Sequence, residues 1–162
     1  MYKRQGPFPI FNPAAAALVA GGLVFGTLDI WWASVPSGVG LFIMLAAMLL
    51  LAWRQNRWRM ELGFLAAWLA GGALLRQLPP LLANPGSWGA LLGILPLYLM
   101  AFMLLEPKTS PLRPKQQYIY GAVSALVAVF LLSRSSITDM ALVGLMAGNL
   151  AKKGMEKFKI GI

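Results

Sequence analysis

The sequence has no cysteine and no histidine, and only 5 acidic residues against 14 basic ones in a chain of 162. Without cysteine there is no disulfide, no thiolate-held iron–sulfur cluster and no thiol nucleophile. Without histidine there is no His-ligated haem, no His metal site and no imidazole base. Carboxylates are too sparse for an evident acid/base pair. No glycine-rich phosphate loop of the P-loop or dinucleotide type occurs. A redox role therefore calls for an organic cofactor such as a flavin, or for a partner chain.

Charge of either sign is scarce. Only 12% of residues are charged, against about 25% in an ordinary soluble domain. Hydrophobic residues make up 59%, and the mean hydropathy is +0.69. Such a composition cannot cover a surface with polar groups, so lipid is the expected solvent. The 17 glycines point the same way, since glycine is commoner in membrane helices than in soluble ones. The net charge of +9 lies in short clusters between apolar runs. That is a pattern of membrane orientation rather than of nucleic-acid binding.

Six apolar stretches are expected to be helices: Ala14–Ala33, Val39–Trp53, Leu62–Leu75, Gly89–Leu105, Ile119–Ser133 and Ile137–Leu150. They are continuously apolar rather than alternating, and backbone groups in lipid must be satisfied internally. The first stretch follows a basic N-terminus in the manner of a signal peptide. Its length of about 20 residues favours a retained span. The expected fold class is an all-α membrane protein, a polytopic bundle of about six transmembrane segments. The alternative is five spans with the last segment re-entrant. Residues 1–13 then form a cytoplasmic N-terminal segment, 14–152 one transmembrane domain and 153–162 a basic cytoplasmic tail.

Orientation follows from the charges. With both termini cytoplasmic, the inner regions hold Lys3, Arg4, Arg54, Arg57, Arg59, Lys108, Arg113, Lys115, Lys152, Lys153, Lys157 and Lys159, and the outer regions only Arg76 and Arg134. Trp31, Trp32 and Trp88 fall at outer ends. Trp53, Trp58, Tyr118 and Tyr120 fall at inner ends, as interfacial belts would, and Trp68 in mid-segment is expected to pack between helices. Pro96 interrupts the fourth stretch, which reads either as a kink or as a half-helix at a binding site. Gly22/Gly26, Gly89/Gly93 and Gly144/Gly148 have the small-xxx-small spacing that lets helices approach closely.

Three polar residues are candidates for an ion pathway. Asp29 lies near the outer end of the first stretch, either at membrane depth or at headgroup level beside Trp31 and Trp32. Asp139 starts the last stretch, where it also suits a helix N-terminus. Asn149 is placed to hydrogen-bond between helices. A more conspicuous interruption is "EPKTSPLRPK". It reads as a connector stiffened by Pro107, Pro111 and Pro114, or as a loop facing a cofactor or partner. In the second case Thr109 and Ser110 supply hydroxyls, and Lys108, Arg113 and Lys115 suit a phosphate or an acidic partner.

"FMLLEPKTSPLRPKQQYIYGAVSALVAVFLL" followed by "DMALVGLMAGNLAKK" resembles the membrane module of the RnfD/NqrB family, which Rnf complexes share with Na+-translocating NADH:quinone reductase. The likeness runs from Phe102 to about Lys152. Glu106 stands where that family usually has Asp. Family members have about twice this chain's length, built as two related inverted halves, so the chain looks like one half. The family's S-G-A-T-type flavin-attachment motif is absent. "FGTL" keeps only Gly26 and Thr27, and "PSGVG" only Ser37 and Gly38.

The resemblance implies a membrane subunit or anchor of a redox-linked electron and ion transport system, with no catalysis by the chain alone. It implies a non-covalent flavin (FMN or riboflavin) near Glu106, Lys108, Thr109, Ser110, Arg113 and Lys115. Implied partners are membrane lipid, a second copy or a partner membrane protein, and a flavoprotein or ferredoxin-type reductase. A small-solute transporter or channel acting as a homo-oligomer, and a structural membrane scaffold, are the alternatives.

Overall fold

The computed structural model describes residues 10–26, 39–75, 95–132 and 140–158. Six helical elements occur among them: α1 (Pro13–Phe25), α2 (Val39–Arg54), α3 (Trp58–Leu74), a π-helix π1 (Leu99–Leu104), α4 (Pro114–Leu132) and α5 (Met140–Lys157).

Local chemistry sets several ends. Asn12 caps α1 by accepting from the amides of Ala14 at 2.9 Å and Ala15 at 3.1 Å, and Pro13 occupies the first turn. There the fixed proline φ suits a helix and its missing N–H removes nothing. Gly26 ends α1 at φ +65, a left-handed cap natural to glycine. Pro96 stands just before the helical turns leading into π1, and its carbonyl accepts from the amide of Met100 at 2.9 Å. The wider π turn directs Leu99, Met100, Met103 and Leu104 inward and leaves Phe102 outside against Tyr98, their rings 4.9 Å apart.

The centre of the fold is α4, packed between α3 and α5. Its two contact faces follow helical spacing. Tyr118, Gly121 and Val129 meet α3, while Tyr120, Ser124 and Ala128 meet α5. Helix α3 crosses α4 through a reciprocal pair of glycines. A Cβ on Gly63 would lie 2.5 Å from the Tyr118 carbonyl oxygen. One on Gly121 would overlap the Met60 carbonyl oxygen. On the other side Gly144 and Gly148 lie against Ser124, Ala128 and Tyr120, so this small-residue pair is a helix contact. Met60, Phe64, Trp68, Leu104, Tyr120 and Leu145 are buried in the core, with the Phe64 and Trp68 rings stacked at 5.5 Å. Helix α1 rests on α5, and α2 on π1.

The expectation of a polytopic transmembrane bundle is corrected here. Among the described residues no helix is long and apolar enough to cross a membrane. Helix α1 has 13 residues and α2 has 16, which at ~1.5 Å per residue fall short of a ~30 Å hydrocarbon layer. Helix α3 carries Arg59 and Glu61 in its first turn, α4 opens on "PKQQ", and α5 ends on "AKKGMEK". The last two are long because they recruit polar residues that the apolar pattern assigns to loop or tail. The five-span variant fails on the same finding. A second correction concerns Tyr120. Expected in an interfacial belt, it is among the largest fully buried side chains.

Candidate functional site

Residues 105–113 fold back onto the rest of the chain rather than projecting from it. The Glu106 carboxylate is the hub. Its Oε2 accepts from Asn12 Nδ2 at 2.7 Å and from Thr109 Oγ1 at 2.9 Å. Asn12 thus uses its amide oxygen to cap α1 and its amide nitrogen to hold the loop. Ser110 Oγ donates to the Glu106 carbonyl oxygen and accepts from Arg57 Nη1. Gln117 Nε2, from the first turn of α4, donates to the Leu112 carbonyl at 3.0 Å and to the Asn56 carbonyl at 3.4 Å. Lys152 Nζ reaches the Lys108 carbonyl at 3.3 Å. One loop thereby gathers the start of α1, the α2–α3 turn, the start of α4 and the end of α5.

This geometry sorts the six residues proposed to face a cofactor. Thr109 and Ser110 are buried at 1% exposure with their hydroxyls bonded inside the chain. Glu106 is half-buried and doubly bonded. Lys108, Arg113 and Lys115 are exposed. The loop offers outward cations but no outward hydroxyl, so it can receive an anion by charge while its polar interior serves the fold.

Arg57, expected as an orienting surface cation, is buried on Ser110. Burial lowers its pKa, opposed by the nearby Tyr120. Asn149 is brought into the α4–α5 interface, where its Oδ1 accepts from the Tyr120 hydroxyl at 2.7 Å. Burial, with the charge of Glu106 adding to it and Arg57 opposing, raises the Tyr120 pKa, so the hydroxyl stays a donor. Replacing Tyr120 by Phe leaves Asn149 Oδ1 buried without its donor, beside an Nδ2 that already lacks a partner among the described residues. The expected loss is ~1–3 kcal/mol of stability, read as a shift in denaturant midpoint. Asp29 and Asp139, the other ion-pathway candidates, lie outside the described residues. So do Gly89/Gly93, Trp31, Trp32, Trp88, Arg76 and Arg134.

Glu61 stands out where the sequence drew no attention to it. In the first turn of α3, it is 7% exposed, and neither carboxylate oxygen has a hydrogen-bond partner among the described residues. Burial pushes its pKa up to about 8. It lines a cleft of about 640 Å³ between α2 and α3, walled by Met48, Leu49, Trp53, Trp58 and Leu62. The available signal was a single carboxylate adjoining an apolar run in "RMELGFLAAW". Among the described residues no three His, Cys, Asp or Glu side chains come together as a metal centre would need.

The helices share one polarity of charge. The ends of α2 and α5, the starts of α3 and α4 and the 105–113 loop meet through the bonds above. Every Lys and Arg among the described residues therefore belongs to one end of the bundle. The far ends carry exposed apolar side chains: Val24 and Phe25 of α1, Phe42 and Ile43 of α2, and Leu74 of α3. Comparison with known proteins gives no match to a family model, a curated protein or a solved structure. The likeness to the RnfD/NqrB family rests on Phe102–Lys152 alone.

Proposed function

We propose that the chain is a membrane-associated component of a larger assembly, an anchor rather than a catalyst, that enters the bilayer from one face. The carrying observation is the confinement of all described cations to one end, while the other end has no described cation and carries exposed Val24, Phe25, Phe42, Ile43 and Leu74. Exposed apolar surface of this extent marks a lipid or partner interface. Basic clusters bind the anionic headgroups of the cytoplasmic leaflet, at ~1 kcal/mol per cation near the surface. The basic end then lies at the cytoplasmic headgroups, and the apolar ends of α1, α2 and α3 sit among acyl chains or against a partner protein. The Rnf/Nqr resemblance supports a place in a redox-linked electron and ion transport assembly. There Lys108, Arg113 and Lys115 would face the phosphate of a flavin or the acidic surface of a flavoprotein partner.

Vesicle flotation tests the membrane reading. Binding to vesicles with anionic phospholipid is expected to exceed binding to zwitterionic ones and to weaken with salt. Joint replacement of Lys108, Arg113 and Lys115 by Gln is expected to weaken anionic-vesicle binding on the order of 100-fold at low salt. Equal binding to both vesicle types, or indifference to the triple replacement, would overturn it. The redox assignment is tested by the visible spectrum of the gently isolated assembly. A flavin absorbance that falls on Lys108 replacement supports it, and a colourless assembly rejects it.

A further inference from the structure

The cleft between α2 and α3 joins two features that seldom meet. Its walls are apolar, and one buried carboxylate in them has no partner among the described residues. We propose that this cleft binds a hydrophobic amine: the ammonium head pairs with the Glu61 carboxylate and the apolar body lies along Met48, Leu49 and Leu62.

Three observations lead there. First, Glu61 lines the cleft, and its two acceptor oxygens are buried with no bonded donor among the described residues. An ionised carboxylate only accepts, and an ammonium group brings both the charge and the N–H donors it lacks. Second, Trp53 and Trp58 stand at the cleft, and indole faces attract cations. The chain already uses one in this way, with the Arg59 guanidinium carbon 4.5 Å from the centre of the Trp58 ring. Trp53 is 79% exposed and open to a ligand. Third, about 640 Å³ is within the range of small-ligand sites.

The surrounding charges are accounted for. Helix α2 contributes Arg54, the α2–α3 turn Arg57, α3 Arg59, and α4 Lys115, Tyr118 and Tyr120; π1 has no titratable side chain. Arg57 is bonded to Ser110, Tyr120 to Asn149, and Arg59 lies over Trp58. Arg54, Lys115 and Tyr118 are exposed. None of them bonds to Glu61, whose displaced titration has burial as its sole cause. The arginines repel an incoming cation at a distance, but that repulsion is screened by salt within about 8–10 Å. The direct pair, formed out of water, is screened far less.

Binding must release a proton. Near neutral pH the carboxyl is mostly protonated, and pairing with an ammonium requires it to ionise, so the proton leaves to buffer. The site does not depend on membrane association, and a failure of vesicle binding leaves it untouched.

The test uses the full chain with benzylammonium as probe and benzyl alcohol as its uncharged counterpart. Calorimetry at pH 7 in two buffers of different ionisation enthalpy counts protons. The expected result is preferential binding of benzylammonium with about one proton released per ligand. Glu61→Gln, close to isosteric, is expected to weaken amine binding at least ~10-fold and abolish proton release. Trp53→Ala is expected to weaken it about 3-fold with release intact. A circular-dichroism spectrum matching the wild type certifies each variant as folded. Benzyl alcohol binding as tightly as the amine, amine binding undiminished in Glu61→Gln, or no amine binding at millimolar concentration would each overturn the proposal.

Discussion

Valine at Gly121 is expected to unfold the protein or remove on the order of 4 kcal/mol of stability, more than ordinary overpacking does. The reason is what a side chain there would strike. A Cβ on Gly121 overlaps the Met60 carbonyl oxygen and lies 2.8 Å from the Phe64 amide nitrogen, both backbone atoms of α3. A side-chain neighbour can rotate away, whereas a helix backbone can only be displaced whole. Displacing α3 would separate Gly63 from the Tyr118 backbone and draw Phe64 and Trp68, both carried by α3, out of the core. Gly121→Ala meets the same atoms with less bulk and is expected to cost ~2–3 kcal/mol. Gly21 and Gly154 are the internal controls. An added Cβ at either meets nothing within 4 Å, so alanine there is expected to be neutral or stabilising by up to ~1 kcal/mol. Denaturant unfolding of the four variants decides. If Gly121→Ala behaved like Gly154→Ala, the close α3–α4 crossing would be wrong.

Replacing Glu61 by Gln is expected to flatten the pH dependence of stability. The carboxyl titrates at 4.5 in a free chain and at about 8 when buried in the fold. Between those values the folded state holds a proton that the unfolded state has lost, so wild-type stability falls as pH rises. Its contribution is full below the unfolded pKa and gone above the folded one. Across that window the decline attributable to Glu61 is on the order of 4 kcal/mol. Glutamine has no proton to lose. The variant should match the wild type near pH 4 and be the more stable protein near pH 8. Denaturant titrations of both at several pH values read this directly, and parallel curves would show that Glu61 is solvated in the folded protein.

How much of this could be read from the residues depends on the interaction. Apolar continuity places helices within all of the described stretches, and the Gly144/Gly148 spacing marks a helix contact that forms. Boundaries go wrong where polar residues are buried by partners distant in sequence. "PKQQ" looks like loop, yet Gln117 is buried as it bonds to the Leu112 and Asn56 carbonyls, so α4 begins five residues before the apolar run. The same limit applies to Thr109 and Ser110. Hydroxyls between prolines and cations suit a ligand loop, and only their contacts with Glu106 and Arg57 turn them inward. The expectation of membrane-crossing helices fails among the described residues for a different reason. Overall hydropathy measures how apolar the chain is, whereas crossing a bilayer requires that apolarity in one helix of sufficient length. Glu61 is legible only in retrospect, because one carboxylate beside an apolar run says nothing of whether it meets a cation.

The double use of Asn12 also bears on the order in which the chain assembles. Helices α4 and α5 are consecutive in sequence and can pair locally, with little loop-closure entropy to overcome. Helix α1 gains its full anchorage only when Asn12 meets Glu106, a residue 94 positions away. That meeting requires the 105–113 loop to be already shaped. The helix made before the other described ones is therefore among the last to be secured. Until α5 is made, the face of α1 that rests on it stays uncovered, which gives a chaperone, a bilayer or a partner protein time to act on the nascent chain.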